Sequence, residues 1–158
     1  MDSRRVFLAD AAATAALGRT LAQRWLALSA DQRPILLLNG DLGAGKTSLV
    51  QGIAAALGIT EPVTSPSFAL AQHYRGGPAT ALVHLDLYRL EQPAAADELF
   101  AQEEEEALAL GALMAVEWPG RLSFMPEGAW ELALELADPA DPEAGRLARL
   151  SGAGMPVG

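Results

Sequence analysis

Residues 40–47 form a glycine-rich segment, GDLGAGKT, which fits the pattern G-x-x-x-x-G-K-[ST]. An apolar stretch, residues 35–38, precedes it, and an amphipathic stretch, residues 46–57, follows it. A strand, a glycine turn and a helix in this order bring backbone N–H groups and the positive end of a helix dipole to one point. The segment therefore predicts a phosphate-binding loop and an α/β, P-loop NTPase-like, three-layer fold.

Each residue type in this loop has a physical reason to bind a nucleoside triphosphate. Lys46 supplies a positive charge to the β- and γ-phosphates, and the Thr47 hydroxyl is a ligand for Mg²⁺. The glycines allow the backbone to curl so that its N–H groups converge on phosphate oxygens. The predicted nucleotide contacts in the loop are Asp41, Leu42, Gly43, Ala44, Gly45, Lys46 and Thr47.

Apolar periodicity along the rest of the chain predicts a mixed parallel and antiparallel sheet flanked by helices. Strands are predicted at residues 5–9, 35–38, 68–74, 81–87, 113–116, 130–136 and 146–150, and helices at 10–28, 46–57 and 94–110. Residues 68–87 read as an antiparallel hairpin, so the sheet is not purely parallel. Residues 138–142 read as a turn. Residues 1–150 are expected to form one domain, and 151–158 a flexible C-terminal tail.

Two acidic residues follow apolar strands and are candidates for the metal site. Asp86 lies near the end of the strand predicted at residues 81–87. P-loop proteins place a carboxylate that holds the metal at the end of such a strand. Glu117 follows the strand at residues 113–116, and the carboxyl ends of strands line the ligand crevice of α/β sheets. Glu117 is placed either to contact Mg²⁺, directly or through water, or to orient the attacking water.

Other polar and aromatic residues divide into one further candidate and several structural ones. Ser67 lies between the loop helix and the hairpin, in the position where nucleotide switches order around the γ-phosphate. His73 and His84 lie on alternating strands without metal-ligand spacing and are interpreted as packing residues. The glutamates at 103–106 are interpreted as a solvated helix face, and Trp25 and Trp130 as core residues.

Charge and composition limit the classes of partner. The net charge is −9, and only 11 lysines and arginines are present. Direct binding of RNA or DNA normally needs a cationic face, so tight solo binding of nucleic acid is not expected. The chain has no cysteine, which fits a reducing cytoplasm, and its apolar runs are too short to cross a membrane. We expect a cytoplasmic protein.

Five motifs together resemble one family, the bacterial TsaE proteins, also called YjeE. They are TAALG at residues 14–18, LNGDLGAGKT at 38–47, VTSPSF at 63–68, HLDLYRL at 84–90 and VEWP at 116–119. Many ATPases share the phosphate loop, but this combination, in this order and at this chain length, is specific to the family. The resemblance spans most of the chain.

The resemblance implies an ATPase of the machinery that forms threonylcarbamoyladenosine at adenosine 37 of tRNA. Its partners would be the threonylcarbamoyl transferase and the transferase's inactive paralogue, with tRNA held chiefly by them. ATP hydrolysis, slow in the isolated chain, would support repeated turnover of the complex. It also implies that Lys46 and Thr47 bind phosphates and Mg²⁺, that Glu117 is a Mg²⁺ ligand and that Asp86 is needed for hydrolysis. By the same resemblance Ser67, Trp118 and Arg146 lie beside the nucleotide.

Two departures and two alternatives accompany this resemblance. The family usually has threonine where Ser67 stands, which keeps the hydroxyl, and residues 97–111 lack its acidic-hydrophobic-glycine pattern. A small P-loop kinase is one alternative, but it normally carries an arginine-rich lid, and the sequence has no arginine cluster. A non-hydrolysing nucleotide switch is the other. A GTPase is not favoured because the N-K-x-D guanine signature is missing.

Overall fold

The computed structural model describes residues 3–41, 43–64, 70–77 and 80–155. These residues form seven strands and three α-helices. The strands are Ser3–Leu8 (β1), Leu36–Asn39 (β2), Ala71–Arg75 (β3), Ala81–Asp86 (β4), Leu113–Glu117 (β5), Trp130–Asp138 (β6) and Asp141–Ser151 (β7). The helices are Ala11–Ala27 (α1), Lys46–Ala56 (α2) and Pro93–Leu110 (α3), with short 3-10 helices at Ala30–Gln32 and Pro119–Arg121.

All seven strands belong to one mixed sheet in the order β1-β7-β6-β2-β5-β4-β3. The central strands β6, β2, β5 and β4 pair in parallel with one another. The outer pairs β1–β7, β6–β7 and β3–β4 are antiparallel. The predicted mixed α/β sheet and the predicted hairpin are therefore confirmed.

The parallel centre of the sheet brings the motif residues to one edge. Leu38 at the end of β2 lies opposite Glu117 at the end of β5, and Asp86 at the end of β4 also lies opposite Glu117. The carboxyl ends of parallel strands meet on the same side of a sheet. The loop after β2 and the two acids therefore share one crevice, although up to 77 positions separate them in the chain.

Helices cover both faces of the sheet, as a three-layer fold requires. Helices α1 and α2 bury Leu21, Leu49 and Ile53 on one face, and α3 buries Phe100 on the other. The first two helices pack very closely, since a Cβ atom on Gly52 would lie 1.9 Å from the carbonyl oxygen of Ala15. Among the described residues, no helix is both long and apolar enough to cross a membrane.

The structure differs from the sequence predictions at several boundaries. Strand β7 begins at Asp141, within the segment predicted as a turn, because the antiparallel pairing with β6 extends to Asp138 and Asp141. Strand β3 begins at Ala71, and residues 65–69 of the predicted loop and strand lie outside the described residues. In the segment expected to be a tail, Trp130 Nε1 donates to the Ala153 carbonyl at 2.9 Å, and Arg24 Nε donates to the Gly154 carbonyl at 3.0 Å.

The interpretation of residues 103–106 as a solvated face is wrong at its first residue. Glu103 is buried, and its Oε2 accepts from His73 Nε2 at 3.0 Å. This pair joins β3 to α3. A buried carboxylate needs a hydrogen-bond partner, and His73 of β3 supplies one to Glu103. The helical pattern of α3 alone could not show that β3 supplies this partner.

Candidate functional site

The glycine-rich loop ends in a left-handed residue from which α2 begins. Gly45 has φ +105°, a backbone conformation that favours glycine, and its carbonyl accepts from Leu49 N at 3.1 Å. The Asp41 carbonyl accepts from Ala44 N at 3.0 Å and closes the turn before it. The first N–H groups of any α-helix have no acceptor within that helix. The start of α2 therefore offers the free N–H groups that anion sites at helix starts use.

A cavity of about 490 Å³ lies in front of this helix start. It is lined by most of the residues predicted from the sequence: Gly43, Gly45, Lys46, Thr47, Asp86, Glu117, Trp118 and Arg146. Two other predicted contacts, Asp41 and Ala44, are within the described residues but not among those lining the cavity. Leu42 and Ser67 lie outside the described residues. Sequence reasoning did not find the other lining residues, which include Ala9, Asp10 and Ala11 near the start of α1 and Pro142 and Glu143 from β7.

Glu117 lies at the centre of the polar contacts. It is only 4% exposed, and its Oε1 lies 3.3 Å from Lys46 Nζ, which is also buried. Its Oε2 accepts a hydrogen bond from His84 Nε2. His84 is buried, as its interpretation as a packing residue implies, but it also bonds to a candidate metal ligand, which that interpretation did not include. Strand alternation placed it two positions before Asp86, on the same face of β4, and that spacing was the available signal.

The two carboxyl groups have pKa values shifted in opposite directions. Burial raises the pKa of Asp86, and the charge of Glu117 raises it further, against the lowering effects of the Tyr88 N–H, Lys46 and His84. Burial also acts to raise the pKa of Glu117. The hydrogen bond and charge of His84, together with Lys46, outweigh this effect and hold the pKa below its ordinary value. Glu117 is therefore the carboxyl group held more firmly in the ionised form.

Trp118 turns the chain sharply after β5. Its φ of 59° and ψ of 49° make it left-handed, and it is the one non-glycine residue with positive φ among the described residues. The indole ring lies with its centroid 4.8 Å from that of Tyr88 and 4.9 Å from Lys46 Nζ. Backbone conformations of this kind are costly and cluster at functional sites. Trp118 forms an aromatic wall beside the lysine.

Arg146 contacts the backbone of the loop. Its Nη2 donates to the Gly43 carbonyl at 3.1 Å, and its Nε donates to the Ala44 carbonyl at 3.1 Å. Its Nη1 donates to the Pro142 carbonyl at 2.6 Å. Because peptide groups are planar, these bonds also set the directions of the N–H groups on the far side of each peptide. Arg146 holds the loop to β7 and fixes two of its peptide planes.

The oxygen atoms at the cavity fit a magnesium ion bound together with phosphates. The Thr47 hydroxyl and the carboxylates of Asp86 and Glu117 are hard oxygen donors of the kind that Mg²⁺ prefers. In the part of the chain that the structure describes, no group of three or more His, Cys, Asp or Glu residues is arranged to hold a metal ion. Mg²⁺ commonly takes one or two carboxylates plus substrate phosphates, so this donor set suits that mode.

Comparison with known proteins identifies the family. The family model described as "Threonylcarbamoyl adenosine biosynthesis protein TsaE" matches residues 8–144, which is more than half of the chain. The chain belongs to the TsaE family. The glycine-rich loop, Asp86, Glu117 and Trp118 all lie within the part that matches the TsaE model.

Two curated TsaE proteins and one solved structure resemble the chain over most of its length. The tRNA threonylcarbamoyladenosine biosynthesis protein TsaE of Synechocystis is 46% identical over 127 residues, covering 79% of this chain and 76% of that protein. The TsaE of Nostoc is 38% identical over 140 residues, covering 89% and 83%. The crystal structure of Bacillus subtilis YdiB superposes with a TM-score of 0.66 at 24% identity, covering 96% of this chain and 86% of that one, and supports the fold.

We expect the Arg146→Ala variant to bind nucleotide more weakly. Its affinity falls about tenfold for every 1.4 kcal/mol of binding free energy that the substitution removes. The loop carbonyls of Gly43 and Ala44 would lose their charged donor, so the loop would no longer be held in one conformation. Calorimetric titration with ADP and Mg²⁺ measures the change. Arg149→Ala, on the same strand but paired with exposed Glu135, is the matched control and should bind normally. Equal affinities in the two variants would contradict this role.

Proposed function

We propose that the chain binds ATP or ADP with Mg²⁺ at residues 40–47 and hydrolyses ATP. The observation that carries the proposal is the meeting of four groups at one cavity, the Lys46 ammonium, the Thr47 hydroxyl and the Asp86 and Glu117 carboxylates. A cation, a hydroxyl and two carboxylates at a helix start form the set that phosphoryl transfer needs.

The proposed roles follow from the positions of the side chains. Lys46 neutralises charge on the β- and γ-phosphates, and Thr47 and Glu117 hold Mg²⁺. A magnesium ion held by these two residues would supply positive charge against the charge that develops on the phosphate oxygens. Asp86, with its raised pKa, supports hydrolysis either at the metal or by orienting the attacking water. Trp118 lines the site beside Lys46.

We further propose that this activity serves the formation of threonylcarbamoyladenosine on tRNA. Membership of the TsaE family supports this step, because both the family model and the curated relatives carry that description. The proposed partners are the threonylcarbamoyl transferase and its inactive paralogue. With a net charge of −9, the chain lacks the cationic balance that would hold tRNA by itself. It would therefore act on tRNA through the complex.

We expect the isolated chain to bind little tRNA at physiological salt and to enter a complex when mixed with the two partner proteins. The amount of complex should depend on whether an ATP analogue or ADP is present. The segment at Ser67 is predicted to order around the γ-phosphate, and ADP has no γ-phosphate. Co-elution from a sizing column with the analogue, with ADP and without nucleotide measures this. The Lys46→Ala variant should lose the nucleotide dependence. Identical elution in all three conditions without a complex would leave a lone ATPase.

Phosphate release with and without the partners separates hydrolysis from the two alternatives. A switch that binds nucleotide without hydrolysing it would release no phosphate in either case. A small-molecule kinase would need mobile arginines over the phosphates. Of the arginines near the cavity, Arg146 is bonded to the loop, and Arg121 donates to the Tyr88 carbonyl at 2.9 Å. These contacts favour the ATPase over a kinase.

A further inference from the structure

His84 makes a buried hydrogen bond to Glu117, a residue that is proposed to hold the metal. His84 lies on β4 and is 1% exposed. Its Nε2 bonds to Glu117 Oε2, while its Nδ1 has no hydrogen-bond partner among the described residues. A histidine that only filled core volume would not need this polar contact, and a buried nitrogen without a partner costs free energy. Among the residues that the structure describes, the bond to Glu117 is therefore the polar contact that the His84 side chain makes.

The direction of this hydrogen bond follows from the chemistry of the two groups. Glu117 lies beside the Lys46 ammonium, and an ionised carboxylate only accepts hydrogen bonds. His84 Nε2 is therefore the donor, and the ring is held in the form that carries a proton on Nε2. The bond fixes Oε2 of the carboxylate from the side of β4.

The two partners of Glu117 differ in how firmly they are held. Lys46 has a flexible four-carbon stem, and its proposed role takes its ammonium to the phosphates. His84 has a rigid ring on a central strand and is enclosed on both sides by the fold. When Lys46 bonds to phosphate, His84 still orients the carboxylate. The other oxygen, Oε1, lies 3.3 Å from Lys46 Nζ, and both residues line the cavity.

We propose that His84 is a positioning residue that holds Oε2 of Glu117 so that Oε1 is presented to a magnesium ion bound with the nucleotide. This inference rests on the proposed function. It assigns His84 no contact with nucleotide or with the reacting atoms. Residues that orient the ligands of a metal typically change metal affinity or activity by about 10- to 100-fold when they are replaced.

The test compares His84→Leu, which removes the donor, with His84→Gln, whose amide nitrogen can occupy the place of Nε2. ADP affinity is measured by calorimetry in Mg²⁺ and in EDTA, and the ratio of the two affinities gives the magnesium dependence. We expect His84→Leu to reduce this ratio by about tenfold, the lower end of that range, while the affinity in EDTA stays nearly unchanged. His84→Gln should restore most of the ratio.

Two further variants distinguish positioning from a structural effect. His73→Leu removes the other histidine, which also bonds to a glutamate but lies on β3 and does not line the cavity, and it should keep the wild-type ratio. In a double-mutant cycle, His84→Leu should cause little further loss in a Glu117→Gln background, because the two residues act through one contact. Thermal unfolding of each variant confirms that it is folded at the temperature of the titration.

The outcomes separate this inference from the proposed function. If the wild-type protein shows no magnesium-dependent ADP binding, the proposed function fails. If the wild type shows it, and His84→Leu keeps the same ratio, His84 does not position Glu117. Equal losses in His84→Leu and His84→Gln, or additive losses in the cycle, would likewise overturn the inference.

Discussion

Replacement of Lys46 by alanine should weaken ADP and ATP binding on the order of 10- to 100-fold. A hydrogen bond from a charged donor contributes about 1.5–3 kcal/mol, and each 1.4 kcal/mol is tenfold in affinity. Lys46 is the single lysine of the chain and lies at the start of α2. Arg146, the nearby cation that lines the cavity, is occupied by loop carbonyls. Substitution of Lys46 therefore leaves the phosphate charge without its main counterion.

Calorimetric titration with ADP and with an ATP analogue, each in Mg²⁺, measures this effect. The matched control is Arg19→Ala, which removes one positive charge from an exposed position on α1 and so makes the same change in net charge. Thermal unfolding should accompany the titration, because Glu117 also loses the ammonium 3.3 Å from its Oε1. Unchanged affinity in folded Lys46→Ala would place the nucleotide site elsewhere in the molecule.

Substitution of either site carboxylate should reduce ATP hydrolysis more than nucleotide binding. We expect Asp86→Asn and Glu117→Gln to lower kcat by roughly 10²–10³, the loss typical of removing one group that stabilises transition-state charge. Both substitutions keep the volume of a side chain that is buried or half-buried, so packing is preserved. ADP affinity should change by about tenfold at most, because Lys46 and the helix start still bind the phosphates.

Single-turnover phosphate release in the presence of the two partner proteins measures the chemical step. Glu103→Gln is the matched control, since Glu103 is also a buried glutamate bonded to a histidine but lies on α3, outside the cavity. It should hydrolyse ATP at the wild-type rate. Full activity in both Asp86→Asn and Glu117→Gln would remove these carboxylates from the mechanism and favour water activation by other groups.

Local patterns predicted most of the fold because they report on burial within one element. The apolar run at residues 35–38 predicted a strand buried on both faces, and Leu36, Leu37 and Leu38 are all fully or almost fully buried. The hairpin of β3 and β4, predicted from residues close together in the chain, was confirmed. Membership of the TsaE family, predicted from five short motifs along the chain, was also confirmed. Phosphate and Mg²⁺ binding at residues 40–47 stays a prediction.

The sequence by itself determined which residues are candidates for the site, because each stands in a motif whose spacing is local. It identified Lys46 and Thr47 in the loop and Asp86 and Glu117 at two strand ends. The glycine-rich loop needs only consecutive residues to form, and a strand end can be recognised from a few positions.

Only the tertiary structure decided which of these residues meet and what supports them. His84 was interpreted as packing because its spacing from His73 fits no metal site, and only the folded structure shows that Glu117 of β5 lies beside it. The guanidinium of Arg146 contacts the carbonyls of Gly43 and Ala44, which lie about 100 positions earlier in the chain. The order of the strands brings Arg146 close to the loop. Such contacts arise from sheet register and side-chain direction, which long-range packing sets and local sequence does not encode.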